Sequence, residues 1–455
     1  MTHQPGEGYT LPMKRTRIFS ALLSWLLLLS ILMLTACSSG NLGDEGIAFV
    51  RDGSLWTIAP DGSNAFEVVK QNTPVLGYGL SPDHRIFVFR TLDGDFARTS
   101  AGQHLAISAV TGLIGDVPSS LNTIGIDGGS PIPIILSSAN LAHSAAWWSP
   151  GGTRLLYREG SDPKAASPDL VTWWISQNDQ PAGIARKFLP NSLSIPSINS
   201  SSTMTIGSSQ QGLFTTTLAG TNFAFVQQDN LPGHPLSATL ERVLWQPVHQ
   251  NPALLYAVAS QTAGNGQVDL ILREASGQSR VLASCACRQF AWSPDGKRIL
   301  YSTDQGYTVL NVLDSSHFDF SAEHGAVPYW SPDGQALLLD GLHTLTLVHM
   351  SSQQSEVLLS DGSTSSTTDG PLPGPVAFLQ PVANSLWNVD GQRFALLTRG
   401  RTLWQGHQLA SGNGLYLISL NGQGKIQGAP KLIDNNSHDI QPGWSYENPN
   451  ISFLF

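Results

Sequence analysis

Two hydrophobic patterns divide this chain. From Ile18 to Leu34 the residues are almost continuously apolar, and Lys14, Arg15 and Arg17 stand just before them. From Ile47 onward the pattern changes to short runs in which β-branched, aromatic and aliphatic residues alternate with polar ones. The first pattern predicts a helix in apolar surroundings, close to the roughly 20 residues a membrane span needs. The second predicts strands that bury one face, because successive strand side chains point to opposite sides.

The strand runs carry a repeated punctuation. Phe290-Ala291-Trp292-Ser293-Pro294-Asp295-Gly296-Lys297-Arg298-Ile299-Leu300-Tyr301 returns as Tyr329-Trp330-Ser331-Pro332-Asp333-Gly334-Gln335-Ala336-Leu337-Leu338-Leu339. Looser copies begin at Leu80-Ser81-Pro82-Asp83 and Trp148-Ser149-Pro150-Gly151-Gly152. Three more lose part of the motif, at Trp245-Gln246-Pro247, Trp387-Asn388-Val389-Asp390-Gly391 and Trp444-Ser445-Tyr446. Ser-Pro-Asp-Gly sets proline at the second position of a turn, where its fixed φ is wanted, and glycine where the chain re-enters a strand. The tryptophan before it, replaced by Leu80 in one copy, is a large apolar plate for packing one small sheet on the next, so all seven positions read as core. Further turns, Asp61-Gly62-Ser63 and Asn421-Gly422-Gln423, end later strands. Within the longest gap, Leu218–Val226 reads as a worn copy.

Short antiparallel sheets repeated along a chain predict an all-β ring, a β-propeller. The motifs resemble the Trp-Ser-Pro-Asp-Gly repeats of TolB-like and WD40-like bacterial propellers over about residues 47–455. Seven copies predict about seven four-stranded blades, with eight as the alternative count, and the resemblance implies envelope proteins as partners. Low-complexity stretches at Gly112–Ala142, Pro190–Gln211 and Ser360–Pro375 account for the uneven spacing. Because the body begins and ends in strand-like segments, Ile47–Val50 and Ile451–Phe455, a blade shared by both termini is expected to close the ring and hide its last edges.

At the N-terminus, the apolar run ends in Leu34-Thr35-Ala36-Cys37. A charged segment, an apolar segment and small residues before a cleavage point make a signal peptide. The boundary resembles the lipobox of bacterial lipoproteins, which implies cleavage before Cys37 and a thioether-linked diacylglycerol on its sulfur. Residues 1–36 are then the signal peptide, with Met1 or Met13 as the start, and the propeller follows a tether, 37–46. Two or more acyl chains anchor stably where one does not. The expected location is the cell membrane or an outer membrane, facing outside the cytoplasm. Ser38, which is not aspartate, favours the outer membrane in a two-membrane cell.

Composition narrows the partners. The net charge is −9; three basic residues against Glu7 put +2 before Cys37, which leaves −11 on the mature chain. Such a body gains nothing from phosphate backbones, which sets nucleic acid aside. Charged residues make up only 13% of the chain, about half the usual share, and Ser, Thr, Gln and Gly supply the polarity. Besides Cys37 there are Cys285 and Cys287. Paired buried thiols, a local disulfide, and metal or redox use stay open for them, although a metal site needs more ligands nearby.

No catalytic chemistry is legible. Gly443-Trp444-Ser445-Tyr446 looks like the start of a serine-hydrolase nucleophile elbow, but Glu447 stands where the turn needs glycine. Phosphate-loop, dinucleotide and zinc-protease motifs are absent. Asp83, Asp295, Asp333 and Asp390 sit in turns, where aspartate bonds its own backbone, and His343 and His349 read as ordinary strand residues. No cofactor, metal or catalytic residue is expected. The expected function is a non-enzymatic scaffold or binding module for an envelope protein, peptide or glycan. The competing expectation is a secreted enzyme, glycoside- or peptide-directed, with a site assembled from several blades.

Overall fold

In the computed structural model the chain divides after Leu42 into two units, Met1–Leu42 and Gly43–Phe455. The structure describes residues 1, 46–51, 53–70, 74–100, 117–138, 141–144, 146–160, 171–177, 186–190, 196–209, 212–218, 222, 224–226, 243–260, 267–287, 289–323, 326–341, 344–360, 386–397, 403–409, 414–435 and 452–453. The apolar run, Cys37, the tether up to residue 45, His343 and Trp444-Ser445-Tyr446 lie outside the described residues. Among the described residues no helix is long and apolar enough to cross a membrane.

The second unit is all-β. Among the described residues its one α-helix is Gly94–Ala97, whose first amides are capped by the Asp93 carboxylate. The strands Phe290–Trp292, Arg298–Thr303, Gly306–Asn311 and His317–Phe320 show the recurring plan: four strands, antiparallel, paired in chain order. Four-stranded groups of this kind span 197–225, 243–285 and 327–360, the last extended by a hairpin of Leu403–Trp404 and His407–Gln408 on its outer strand. The 75–135 and 142–190 groups are fused. Ala142–His143 pairs with both Val117–Gly125 and Arg154–Gly160, which makes one nine-stranded sheet. Arg393–Leu397, Leu415–Ser419 and Lys431–Asp434 form the 387–434 group, with Trp387 bridged to Phe394.

The repeated motif is the turn between the first and second strand of each group. Ser331 receives a hydrogen bond from the Gly334 N–H at its carbonyl (2.8 Å) and donates its own N–H to the Ala336 carbonyl (2.8 Å). Its Oγ accepts from the Ala336 N–H (2.8 Å) and donates to Asp333 Oδ1 (2.6 Å). Ser293 repeats all four bonds, and Ser81 does so with His84 at the fourth position. That fourth position is left-handed, with φ of 67° at Gly334 and 58° at His84.

One strand group was hidden by this chemistry. In the 197–225 group Asn199 does the serine's work, accepting at Oδ1 from the Met204 N–H (3.0 Å), while Ser202 takes the glycine position at φ 52°. The turn therefore lies at 199–202, and Leu218–Val226, expected as a worn motif, instead leads into the outer strand Ala224–Phe225.

The groups dock in chain order, each step carrying a hydrogen bond. The Tyr78 hydroxyl donates to the Ala48 carbonyl, the Trp148 indole to Gly79, the Gly151 N–H to Ser202 Oγ and the Trp245 indole to Ser197. The Gln246 amide donates to Gly296, Arg298 to Gly334, and the Trp387 indole to Tyr329. The last step joins the end of the body to its beginning. Arg51 pairs with Asp434 (3.0 Å), Lys431 Nζ donates to the Pro60 carbonyl (3.2 Å), and one apolar cluster holds Ile47 and Phe49 together with Tyr329, Leu338, Trp387 and Phe394. A series of small sheets whose last member packs on its first is a β-propeller.

The closing sheet is built from both termini, as expected. Ser452–Phe453 pairs with Ile47–Arg51, which continues into Ser54–Ile58 and Phe66–Val69. The register Ile47↔Phe453 makes 452–453 the innermost strand of that sheet, the place Phe290–Trp292 holds in its own. Ser452 and Phe453 thus hold that innermost place, while the motif copy at Trp444 lies outside the described residues.

Candidate functional site

The topology gives the body two unlike ends. At the turn end lie the Ser-Pro-Asp-Gly turns, the turns between third and fourth strands, and the place where Ile47 begins and Phe453 finishes. At the opposite end the chain passes between second and third strands and from one sheet to the next. Among the described elements, the longest intervals between strands leave from this loop end, those from Leu92 to Val117, Phe225 to Val243, Ser360 to Trp387, Leu397 to Leu415 and Asp434 to Ser452. The longest at the turn end, from Ser419 to Lys431, is shorter than each of them. Loops carry function where a rigid scaffold presents them.

The turn-end carboxylates are occupied by architecture. Asp83, Asp295, Asp333 and Asp390 accept from the backbone N–H two residues on, at 3.3, 3.0, 2.9 and 2.8 Å. Asp61 and Asp314 do the same in outer turns, and hydrogen bonds from Ser63 and Ser316 hold both carboxyls below their ordinary range. His349 faces Glu356 across a strand pair (3.3 Å) at the surface. Trp148, Trp292, Trp330 and Trp387 are buried, the core role expected of them.

Cys285 ends the strand Ser279–Cys285, and Cys287 follows on the crossing to Phe290. Both are buried among Leu255, Leu270, Phe290 and Ile299, with Cα atoms 5.0 Å apart and sulfur atoms in bonding contact. Among the described residues no group of three or more His, Cys, Asp or Glu side chains is arranged to hold a metal ion.

The loop end holds a polar cluster that sequence reasoning missed, where the two fused sheets meet. His143 is fully buried on the short strand between them. Its Nδ1 lies 2.7 Å from the Ser119 carbonyl, its Nε2 lies 3.2 Å from Glu159 Oε2, and its own carbonyl accepts from Arg90 Nη1 (2.8 Å). Arg90 is 3% exposed, whereas the Glu159 side chain is 25% exposed. Tyr157 sets its ring edge-on to the imidazole, and burial and then the Glu159 charge push its phenol up, so it remains protonated. Tyr329 is pushed up in the same way, by burial and then Asp340. The His143 partners come from three strands, so no local spacing in the sequence announces them.

No protein-family model matches the sequence, and no curated protein matches it. Among solved structures the chain is similar to an oligogalacturonate lyase in complex with manganese, at 13% identity and TM-score 0.46, over 65% of this chain and 87% of that one. It is similar to TolB from Acinetobacter baumannii at 14% identity and TM-score 0.35, over 53% and 59% of the two chains. A eukaryotic initiation factor is similar at 9% identity and TM-score 0.49, over 90% and 99%. TolB and the lyase are both β-propellers.

Proposed function

We propose that this chain is a membrane-anchored lipoprotein, held through diacylated Cys37, whose eight-bladed propeller is a non-enzymatic binding module outside the cytoplasm. The carrying observation is the unlike character of the two ends. The first described strand begins at the turn end, whereas the longest intervals between described strands lie at the loop end, and it is the loop end that this reading assigns to an envelope protein, peptide or glycan. The conspicuous serine, asparagine and aspartate side chains of the turn end support this reading, because they are consumed in holding strands together. The eight-blade count rests on the 197–225 group and on the sheet shared by the termini.

The competing reading is an enzyme with a site assembled from several blades. Its best candidate is the His143–Glu159 pair, but a fully buried imidazole leaves only Glu159 within reach of a substrate, which favours the binding reading.

The test is in-cell cross-linking of three forms of the full chain. Replacing residues 361–385 at the loop end with a short Gly-Ser turn should abolish capture of an envelope partner. Exchanging the turn-end residues 274–278 should preserve it, and Cys37→Ala should lose it with membrane attachment. Capture that survives the first replacement and fails in the second contradicts the proposal.

A further inference from the structure

We propose that Cys285 and Cys287 form a redox-sensitive brace on the joint between the 243–285 and 290–320 sheets. Joined, they shorten the crossing from one sheet to the next and hold the loop end of the joint; reduced by a dithiol, they let it relax. The two residues flank Ala286, with Cα atoms 5.0 Å apart. An extended chain covers about 6.6 Å over the same two steps, so the bridge draws the crossing in by about 1.6 Å. Both ends of the crossing are fixed. Before it, Ser284 Oγ donates to the buried Asp269 carboxylate (2.6 Å) in the 243–285 sheet. After it, the Gln289 N–H donates to Ser302 Oγ (3.0 Å), the Gln289 carbonyl accepts from the Ser302 N–H (2.9 Å), and Gln289 Oε1 accepts from the Tyr307 hydroxyl (3.1 Å). Ser302 and Tyr307 belong to the 290–320 sheet, so a shortening between the two fixed points is carried to the sheets themselves.

At this joint a bond made at three others is absent. Trp148, Trp245 and Trp387 each donate an indole N–H to a carbonyl of the preceding sheet, whereas the Trp292 indole N–H is buried with no acceptor among the described residues. Two bonds, from Gln246 to Gly296 and from Arg280 Nη2 to the Val312 carbonyl (2.6 Å), tie the joint at the turn end. The sheets also share an apolar cluster that holds Cys285 and Cys287 together with Leu255, Leu270, Phe290 and Trp292. As a staple on the unfolded chain the bridge contributes little, because the loop it closes has a single residue between its ends. Its effect is local. Reduction leaves two thiols that the same cluster accepts, since a buried cysteine behaves as a small apolar residue, and the fold is compatible with both states. In the exchange the dithiol's two S–H bonds become one S–S bond and the Cys285–Cys287 S–S bond becomes two S–H bonds, so two electrons and two protons pass to the protein. The two cysteines are 9% and 7% exposed, and the attacking thiolate reaches them through local opening of the crossing.

The test is hydrogen–deuterium exchange of the full-length chain in detergent micelles, before and after treatment of the folded protein with a small dithiol. Cys285 and Cys287 are the only cysteines besides Cys37, so alkylation of the peptide that holds both, after the dithiol is removed and the chain unfolded, reports their state. Untreated, that peptide should resist alkylation; treated, it should take two alkyl groups, and exchange at residues 289–292 and Ser302 should rise several-fold. Residues 329–330 and 386–388, at the joint where Trp387 bonds Tyr329, should not change. Cys285→Ala combined with Cys287→Ala should exchange like the reduced native chain and ignore the dithiol. Cysteines that alkylate without reductant, a bridge that the dithiol fails to reduce in the folded chain, or a reduced chain whose exchange at 289–292 and Ser302 is unchanged, each overturns the proposal.

Discussion

Ser331→Ala probes whether the repeated motif is a hydrogen-bonding device rather than a run of favoured turn residues. Ser331 is 1% exposed, and its Oγ both accepts from the buried Ala336 N–H and donates to Asp333. Alanine removes two bonds, each contributing about 0.5 to 1.5 kcal/mol, and strands a buried backbone N–H, at a cost of about 1 to 3 kcal/mol. Because the two counts overlap, the expected loss is about 2 to 3 kcal/mol. The molecule itself supplies the control. Asn388 and Asn199 place Oδ1 where the serines place Oγ, accepting from the Arg393 and Met204 amides at 2.8 and 3.0 Å. Ser331→Asn should therefore recover most of what Ser331→Ala loses. Urea unfolding of the full chain in micelles, comparing midpoints at unchanged slope, measures both. Should the asparagine variant fall as far as the alanine variant, the turn owes its stability to something other than this acceptor.

Other expectations follow from the seam between first and last sheets and from the turn carboxylates. Arg51 pairs with Asp434 and lies over the Trp56 ring at 3.9 Å, both ionic side chains being under one-fifth exposed, so Asp434→Ala should destabilise the body by roughly 2 to 4 kcal/mol. Its largest exchange increase should fall in residues 47–58 and 431–434. Gly62 has φ 90°, and a Cβ there would stand 2.9 Å from the Ile433 carbonyl; Gly62→Ala should lower the melting temperature, whereas Gly422→Ala, with open space around it, should not. Deleting residues 451–455 removes the inner strand of the closing sheet and should lower the melting temperature of the whole ring; no change would refute closure by the termini. Asp61 and Asp314 are held below their ordinary range by hydrogen bonds, so their contribution is present at neutral pH and lost as pH falls through and below the usual aspartate range. Acid titration of Asp61→Asn and Asp314→Asn, followed by exchange in their turns, should show less acid sensitivity than the native chain.

Much of the fold was legible because the turn chemistry is written in consecutive residues. Ser-Pro-Asp-Gly announces its own hydrogen bonds, and the tryptophan before it announces the docking surface. The 197–225 group escaped because Asn199 and Ser202 perform the same bonds with different letters, and because Ile198 stands where the tryptophan is expected. The His143 cluster was invisible for a deeper reason. Its hydrogen bonds join Arg90, Ser119, His143 and Glu159 through the fusion of two sheets, and only the topology brings them together.

Attachment through Cys37 is the claim on which the functional reading stands, and the intact mass of the mature chain purified from membranes tests it most directly. The account predicts a chain beginning at residue 37 and carrying a diacylglyceryl group on that cysteine, with Cys37→Ala unlipidated and released from the lipid-anchored fraction. A mature chain that retains residues 1–36, or one that begins near residue 37 without lipid, would contradict it.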